Sequence, residues 1–362
     1  MKIYLDNAAT TKPVKFKTKI WGNPSSPHSM GIKAERKISE ARERLALFLG
    51  VKPQEIYYTS GATESNNIAI QGLNVDTIIT EPWEHPAILE PVRAQQNKKR
   101  IIIDDKKIWM HNMKEYGKCL VCLSHVNHET GDIHDINVLA QTIKEQNPEA
   151  IILIDAAQSM CKEVINLTDI DLLSFSGHKF HGPTGIGGLF KREGLHLSPI
   201  IFGGGQEKKL RPGTENIHAI LHMDAALTAY NAANNRNEGH SETRLKSLHD
   251  KLSKLTEDLP DTFLNHRTET KSAFIINLSF LGLKGETLVH MLSERGIYAS
   301  MGAACNTRKN EKPALEAMGF PPERVSSAVR FSFSYTTYWD HIERAKPIIE
   351  DCVKSLRRVF RR

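Results

Sequence analysis

The chain is poor in cysteine and in aromatic residues and has no long apolar runs, and each shortage removes a class of protein. Its five cysteines among 362 residues are odd in number and scattered over Cys119, Cys122, Cys161, Cys305 and Cys352. With no signal-peptide pattern before Asp6, they point to free thiols in a reducing, cytoplasmic compartment rather than a disulfide framework. The longest purely apolar stretches, such as Ala150–Ile154, run about five residues where roughly 20 are needed to cross a bilayer. A membrane-spanning protein is therefore not expected. Aromatics are 7%, they do not interleave with a basic stripe, and the net charge is only +6, so no nucleic-acid partner is expected either. No internal repeat or low-complexity tract is present.

What remains is ordinary globular material: 25% charged and 40% hydrophobic residues, enough chain for one large domain or two closely associated ones. From about residue 34 onward, strand-like and helical patterns alternate, which is the form of an α/β protein with a mainly parallel sheet. The runs 55–60, 75–80, 119–124, 150–155 and 171–176 are β-branched or apolar and end in polar or glycine-rich turns, as buried parallel strands do. The stretch 34–50 has apolar residues at Ala34, Ile38, Ala41, Leu45 and Phe48 and closes on a glycine, predicting an amphipathic helix. The polar segment 231–240 marks the expected domain boundary. Beyond it, helices near 244–255 and 286–295, strands at 272–279 and 328–334 and a last helix predict a smaller α+β unit. The basic tail 354–362 reads either as a cationic last helical turn or as a docking patch for an acidic partner.

Ligands of open α/β sheets bind beyond the carboxyl ends of the strands, so the residues there carry the first chemical reading. Thr59-Ser-Gly-Ala-Thr-Glu-Ser65 is a glycine turn into a helix, which suits either a phosphate, with Thr63 as an added donor, or simple capping. Asp155 ends an apolar strand and, if buried, needs a cationic partner: an arginine, a lysine or a protonated ring nitrogen of a cofactor. Lys179 sits on a Gly/Pro-flanked turn between His178 and His181, neighbours that favour the depressed pKa of an imine-forming amine. His85 follows a strand and reads either as a helix-start residue or as a functional ring. Cys305 lies in a small-residue loop, unlike the strand or helix setting of a structural thiol. Cys119 and Cys122 form a CxxC, but on a strand positions i and i+3 face opposite sides, so both are read as core and no metal is expected.

In this order, Leu5-Asp-Asn-Ala-Ala-Thr-Thr11, Gly22-Asn-Pro-Ser-Ser26, Thr59–Ser65, Asp155-Ala-Ala-Gln-Ser159, Ser174-Phe-Ser-Gly-His-Lys179, Gly203-Gly-Gly-Gln206, Arg211-Pro-Gly-Thr214, Gly302-Ala-Ala-Cys305 and Val329-Arg-Phe-Ser332 resemble the cysteine desulfurases of the NifS/IscS type. These are fold-type-I pyridoxal-phosphate (PLP) enzymes of the class V aminotransferase group. The resemblance covers nearly the whole chain. It implies a large PLP-binding domain over 12–235, with a mainly parallel seven-stranded sheet flanked by helices, and a small α+β domain from 1–11 and 236–362 that carries the cysteine loop.

Carried over by residue, the resemblance implies that Lys179 binds PLP covalently and shuttles the proton at the substrate's α carbon. Asp155 pairs with the ring nitrogen, Gln158 bonds the ring hydroxyl, and His85 stacks on the ring and serves in acid–base steps. Ala62, Thr63, Ser176 and His178 hold the phosphate, and Thr214 reaches the phosphate of the neighbouring subunit in a homodimer. Arg330, with Asn23, binds the carboxylate of L-cysteine. Cys305 is the nucleophile that takes the sulfur as a persulfide, leaves alanine, and hands the sulfur to an acceptor protein, as in iron–sulfur cluster assembly or tRNA thiolation. A selenocysteine lyase, or an impaired scaffold of a sulfur-transfer complex, are the alternatives. Three departures stand out. His128 occupies the place of an expected asparagine that contacts the ring hydroxyl, only about ten residues separate Thr11 from Gly22, and the stretch 97–117 is abbreviated.

Overall fold

The structure, a computed structural model, describes residues 2–103, 110–236, 240–301 and 314–360. Two compact units emerge. One gathers residues 1–11, 126–133 and 230–362, the other 12–125 and 134–229.

In the first unit, β1 (Ile3–Tyr4) pairs in parallel with β11 (Ile297–Tyr298). A three-stranded antiparallel sheet has the order β12–β10–β9, formed by Ala328–Ser332, Ile275–Phe280 and Thr262–Leu264. The helices Gly285–Glu294 and Trp339–Phe360 pack their apolar faces on it. Ile342, Ala345, Ile349, Cys352 and Val353, spaced by three and four, join Phe331, Phe333, Leu288 and Leu292 in one core. Residues 126–133, which the sequence reading places in the large domain, group here for a hydrogen-bonding reason. The Ser272 N–H donates to the Gly131 carbonyl (2.8 Å), the Asn277 amide to the Glu129 carbonyl (3.2 Å), and the Arg267 N–H to the Asp132 carboxylate (2.9 Å).

The second unit holds a seven-stranded sheet in the order β2–β8–β7–β6–β5–β3–β4. Its strands are β2 (Ile56–Thr59), β3 (Thr77–Thr80), β4 (Lys99–Ile102), β5 (Cys119–Ser124), β6 (Ile151–Asp155), β7 (Leu172–Ser176) and β8 (Gly187–Lys191). Only β8 runs against its neighbours. Helix α1 (Ser29–Leu49) buries Ala34, Ile38, Ala41 and Leu45 and ends on Gly50 in the left-handed conformation (φ 68°), where a glycine carries no Cβ penalty. Helices α2 (Ala62–Gly72) and α3 (Pro86–Arg93) press Ile68, Ala69, Ile88 and Val92 against Ile78, Leu120, Cys122 and Leu153 of the sheet.

Cys122 belongs to that packed face. Cys119 does not, and its sulfur instead accepts a 3.7 Å contact from the Asn147 amide. Both thiols are buried, and burial pushes their pKa values up, to about 11 for Cys119. They are packing residues on opposite faces of β5. The polar segment 231–240 is not a linker up to Arg236, because the helix Ile217–Arg236 runs through it. Its Asn and Arg side chains are compatible with a helix even where they look like loop material in sequence.

Candidate active site

The larger unit concentrates its polar side chains at the carboxyl ends of β2, β5, β6 and β7. After β2, Gly61 leads into α2, and the Ala62 N–H at the start of that helix donates to the Ser176 hydroxyl at the end of β7 (2.8 Å). A Cβ on Gly61 would come within 3.2 Å of the same hydroxyl oxygen. Thr63 is exposed in the first turn, where unsatisfied helix N–H groups favour an anion. Glu64 in this turn accepts from the Ser60 N–H (2.5 Å) and from Arg211 Nε (2.9 Å). Burial raises its pKa, but those hydrogen bonds outweigh burial and the net value is lowered.

Asp155 closes β6 and is 5% exposed. Its oxygens accept from the Asn66 amide of α2 (2.9 Å) and from the Ala157 N–H (2.8 Å), so its hydrogen-bond partners are neutral donors. Gln158, also 5% exposed, has its amide oxygen taken by Lys162 Nζ (3.1 Å). After β7 the chain makes a 3₁₀ turn, Gly177–Lys179. Burial, reinforced by the charges of Lys179 and Lys162, holds His178 down to about 4, so its imidazole is neutral at pH 7. His85 is the N-cap of α3: its Nδ1 accepts from the Ala87 N–H (3.0 Å), which places the ring proton on Nε2. The residue is exposed.

Behind His85 lies a buried group that sequence reasoning missed. Glu84 Oε1 accepts from the Ser124 N–H (2.9 Å), and ligating atoms of Glu81, Glu84 and His134 lie within 4.8 Å of one another. Burial first, then the Glu81 charge, push Glu84 up to about 8, so it keeps its proton at neutral pH. The two acids flanking Pro82 and Trp83, directly before His85, were the available signal. His134, about 50 residues further on, gave none.

In the smaller unit Arg330 is 5% exposed on β12. It donates to the His128 carbonyl (2.6 Å) and to Asp6 Oδ1 (3.3 Å). His128 therefore meets Arg330 through its backbone, and its side chain is half-buried. Thr214 and Asn23 are exposed. Asn23 Oδ1 accepts from the Ser25 N–H (2.9 Å), closing an Asx turn. Cys305 and the Gly302–Ala304 run before it lie outside the described residues.

The family model for class-V aminotransferases matches residues 3–344. The chain belongs to the class-V aminotransferase family. It is 36% identical over 358 residues to a NifS/IcsS protein homolog of Lactobacillus delbrueckii subsp. bulgaricus, covering 91% of this chain and 92% of that protein. It is 33% identical to the cysteine desulfurase IscS of Methanosarcina thermophila, over 98% of this chain and 93% of that one. Among solved structures, a NifS-like protein superposes with a TM-score of 0.87 at 29% identity, over 98% of this chain and 99% of that one.

Class-V aminotransferases are PLP enzymes, and the residues of this member fit that group. PLP brings a phosphate dianion, a carbonyl that condenses with an amine, and a ring nitrogen that works best protonated. The α2 N-terminus with the Ser176 hydroxyl matches the first. Lys179 offers the amine. Asp155, a buried carboxylate with neutral hydrogen-bond partners, matches the third, because a carboxylate in that setting is stabilised by a cation.

Proposed function

We propose that this class-V aminotransferase is a PLP-dependent cysteine desulfurase, converting L-cysteine to L-alanine and leaving a persulfide on Cys305 for transfer to an acceptor protein. The observation that carries the PLP half of this reading is Asp155: a carboxylate buried at a strand end whose hydrogen-bond partners among the described residues are neutral donors, one strand away from Lys179. The cysteine half rests on the similarity to proteins named cysteine desulfurase over nearly the whole chain.

When bound, PLP would supply an electron sink for the bond broken at the substrate's α carbon. Lys179 holds the cofactor and then moves the proton at that carbon. Asp155 keeps the ring nitrogen protonated, and Asn66 and Ala157 hold the carboxylate oriented. Ala62, Thr63, Ser176 and neutral His178 bind the phosphate through hydrogen-bond donors rather than through a full charge. His85, with its proton fixed on Nε2 by the cap, serves as a ring that stacks and exchanges a proton. Gln158 meets the ring oxygen, with His128 as a further candidate partner. Arg330 takes the substrate carboxylate, assisted by Asn23; a guanidinium suits that bidentate task. The Cys305 thiolate forms an S–S bond to the substrate sulfur as the substrate's C–S bond breaks, and the carbon skeleton leaves as alanine. Thr214 completes the phosphate site of a second copy in a homodimer. A reducing cytoplasm suits such a thiolate.

Cys305→Ser tests the assignment. The variant should keep the visible band of the lysine-bound cofactor and lose persulfide formation and alanine release; sulfur release at the wild-type rate would refute it.

A further inference from the structure

The short stretch between Thr11 and Gly22 forms neither helix nor strand, yet it is fastened to the larger unit. The Val14 N–H donates to the His181 carbonyl (2.9 Å), the Val14 carbonyl accepts from His222 Nε2 (2.7 Å), and Phe16 stacks on the His222 ring at 5.1 Å. His181 stands two residues beyond Lys179, so the strap is held by the turn that carries the proposed cofactor lysine. Over residues 15–21 exposed and half-buried positions alternate, which is the period of an extended chain. Phe16, Thr18 and Ile20 are half-buried; Lys15, Lys17, Lys19 and Trp21 are exposed, Trp21 by 66%. Lysines on such a chain stand about 7 Å apart.

The charge of this strap is uncompensated. Residues 7–34 hold five lysines and no Asp, Glu or Arg, against a net charge of +6 for the whole chain. Lys15, Lys17 and Lys19 form no ion pair among the described residues, and no main-chain group of residues 15–19 bonds another main-chain group there. An open edge lined with lysines repels a second copy of itself and selects an acidic strand. Its main chain offers donors and acceptors in turn, which a polypeptide can match, whereas phosphate groups offer acceptors only. The lack of arginine, and a single exposed aromatic on the strap, also separate it from a nucleic-acid surface.

We propose that residues 15–21 are the docking edge for an acidic, extended segment of the protein that accepts the sulfur. Carboxylates two residues apart on that segment meet Lys15, Lys17 and Lys19, its main chain bonds the strap as an added strand, and an apolar side chain covers Trp21. The identity of the partner as sulfur acceptor rests on the desulfurase reading above.

The test is fluorescence anisotropy of a labelled peptide of alternating glutamate and valine, titrated with the PLP-loaded full chain at low salt. The wild type should bind it, more weakly as salt rises. Lys15→Glu/Lys17→Glu should weaken binding roughly tenfold, and Trp21→Ala should weaken it as well. Lys354→Glu/Arg358→Glu, an equal reversal on the basic tail, should leave it unchanged. A wild type that ignores the peptide, equal losses in the two charge-reversed variants, no loss in Trp21→Ala, or tighter binding of a short oligothymidylate overturns the proposal. Alanine release from L-cysteine with dithiothreitol as sulfur acceptor should keep its wild-type rate in the strap variants, because a small thiol needs no docking edge; a fall would place the strap in the chemistry and also overturns it. A wild type that releases no alanine sinks the desulfurase reading itself. Normal release beside peptide binding that is indifferent to the strap sinks this inference alone.

Discussion

Glu84 stores a pH dependence of stability that a single substitution should remove. Its ordinary pKa near 4.5 is raised to about 8 in the fold by complete burial, by the Glu81 charge and, after the opposing Ser124 hydrogen bond, by Asp155. Between those two values the unfolded chain has released this proton and the folded chain has not. Stability from this group is full below pH 4.5 and is lost as pH rises toward 8, at about 1.4 kcal/mol per pH unit and on the order of 5 kcal/mol across the window. Two histidines, one buried and one half-buried, oppose it lower down. His125 and His178 are both pushed to about 4 by burial, so they destabilise the fold as pH falls below their unfolded values. The difference between wild type and Glu84→Gln cancels their part. Glutamine keeps an acceptor for the Ser124 N–H and gives Glu81 a neutral neighbour. Urea midpoints measured from pH 5 to pH 8, with the slope m checked for constancy, should show the variant gaining on wild type steadily as pH rises. Parallel profiles would refute the placement of a proton on Glu84. Glu81→Gln should end the wild-type decline at a lower pH, because it removes the second cause of the shift.

Two further substitutions probe the scaffold of the same unit. Gly187→Ala would put a Cβ at 2.3 Å from the Phe175 carbonyl oxygen and 2.6 Å from Gly61 Cα. Both are backbone atoms, so the loss should reach about 3 kcal/mol or more and should weaken PLP retention through the Gly61 turn. Gly205→Ala, with nothing within 4 Å of the new Cβ, is the near-neutral control, and equal urea midpoints for the two would contradict the packing. Glu207→Gln breaks a contact in which the carboxylate takes Arg42 Nη1 and Nη2 (2.9 and 2.6 Å) and the Tyr58 N–H (3.0 Å). Leaving the mostly buried Arg42 without a countercharge should cost about 3 to 5 kcal/mol. A thermal-melt loss under about 1 kcal/mol would show the pair to be solvent-screened.

The parallel strands were legible because each is a short apolar run that ends abruptly in polar residues, and that pattern follows from burial on both faces. β8 escaped the same reading. It begins Gly187-Gly188, which lowers strand propensity, yet glycine is required there because Phe175 and Gly61 press against it. Local propensity registers the cost of a glycine but not the distant backbone that demands it. The placement of 126–133 was out of reach for a related reason. Its ties run to residues between 267 and 277, a separation over which no periodicity speaks.

The site divides along the same line. The placement of Asp155, Gln158, Ser176 and Lys179 was readable because each stands in the short run that also places it, at or just after the end of a strand whose apolar pattern announces itself. His85 shows what that reading leaves out: the helix-start role is filled through Nδ1 alone, so it does not compete with the chemical role proposed for the ring. The Glu81, Glu84 and His134 group was invisible because its meaning lies in proximity. Two acids on one turn become a single proton-holding unit only when the fold removes water from both and brings His134 Nε2 to 3.4 Å from Glu81.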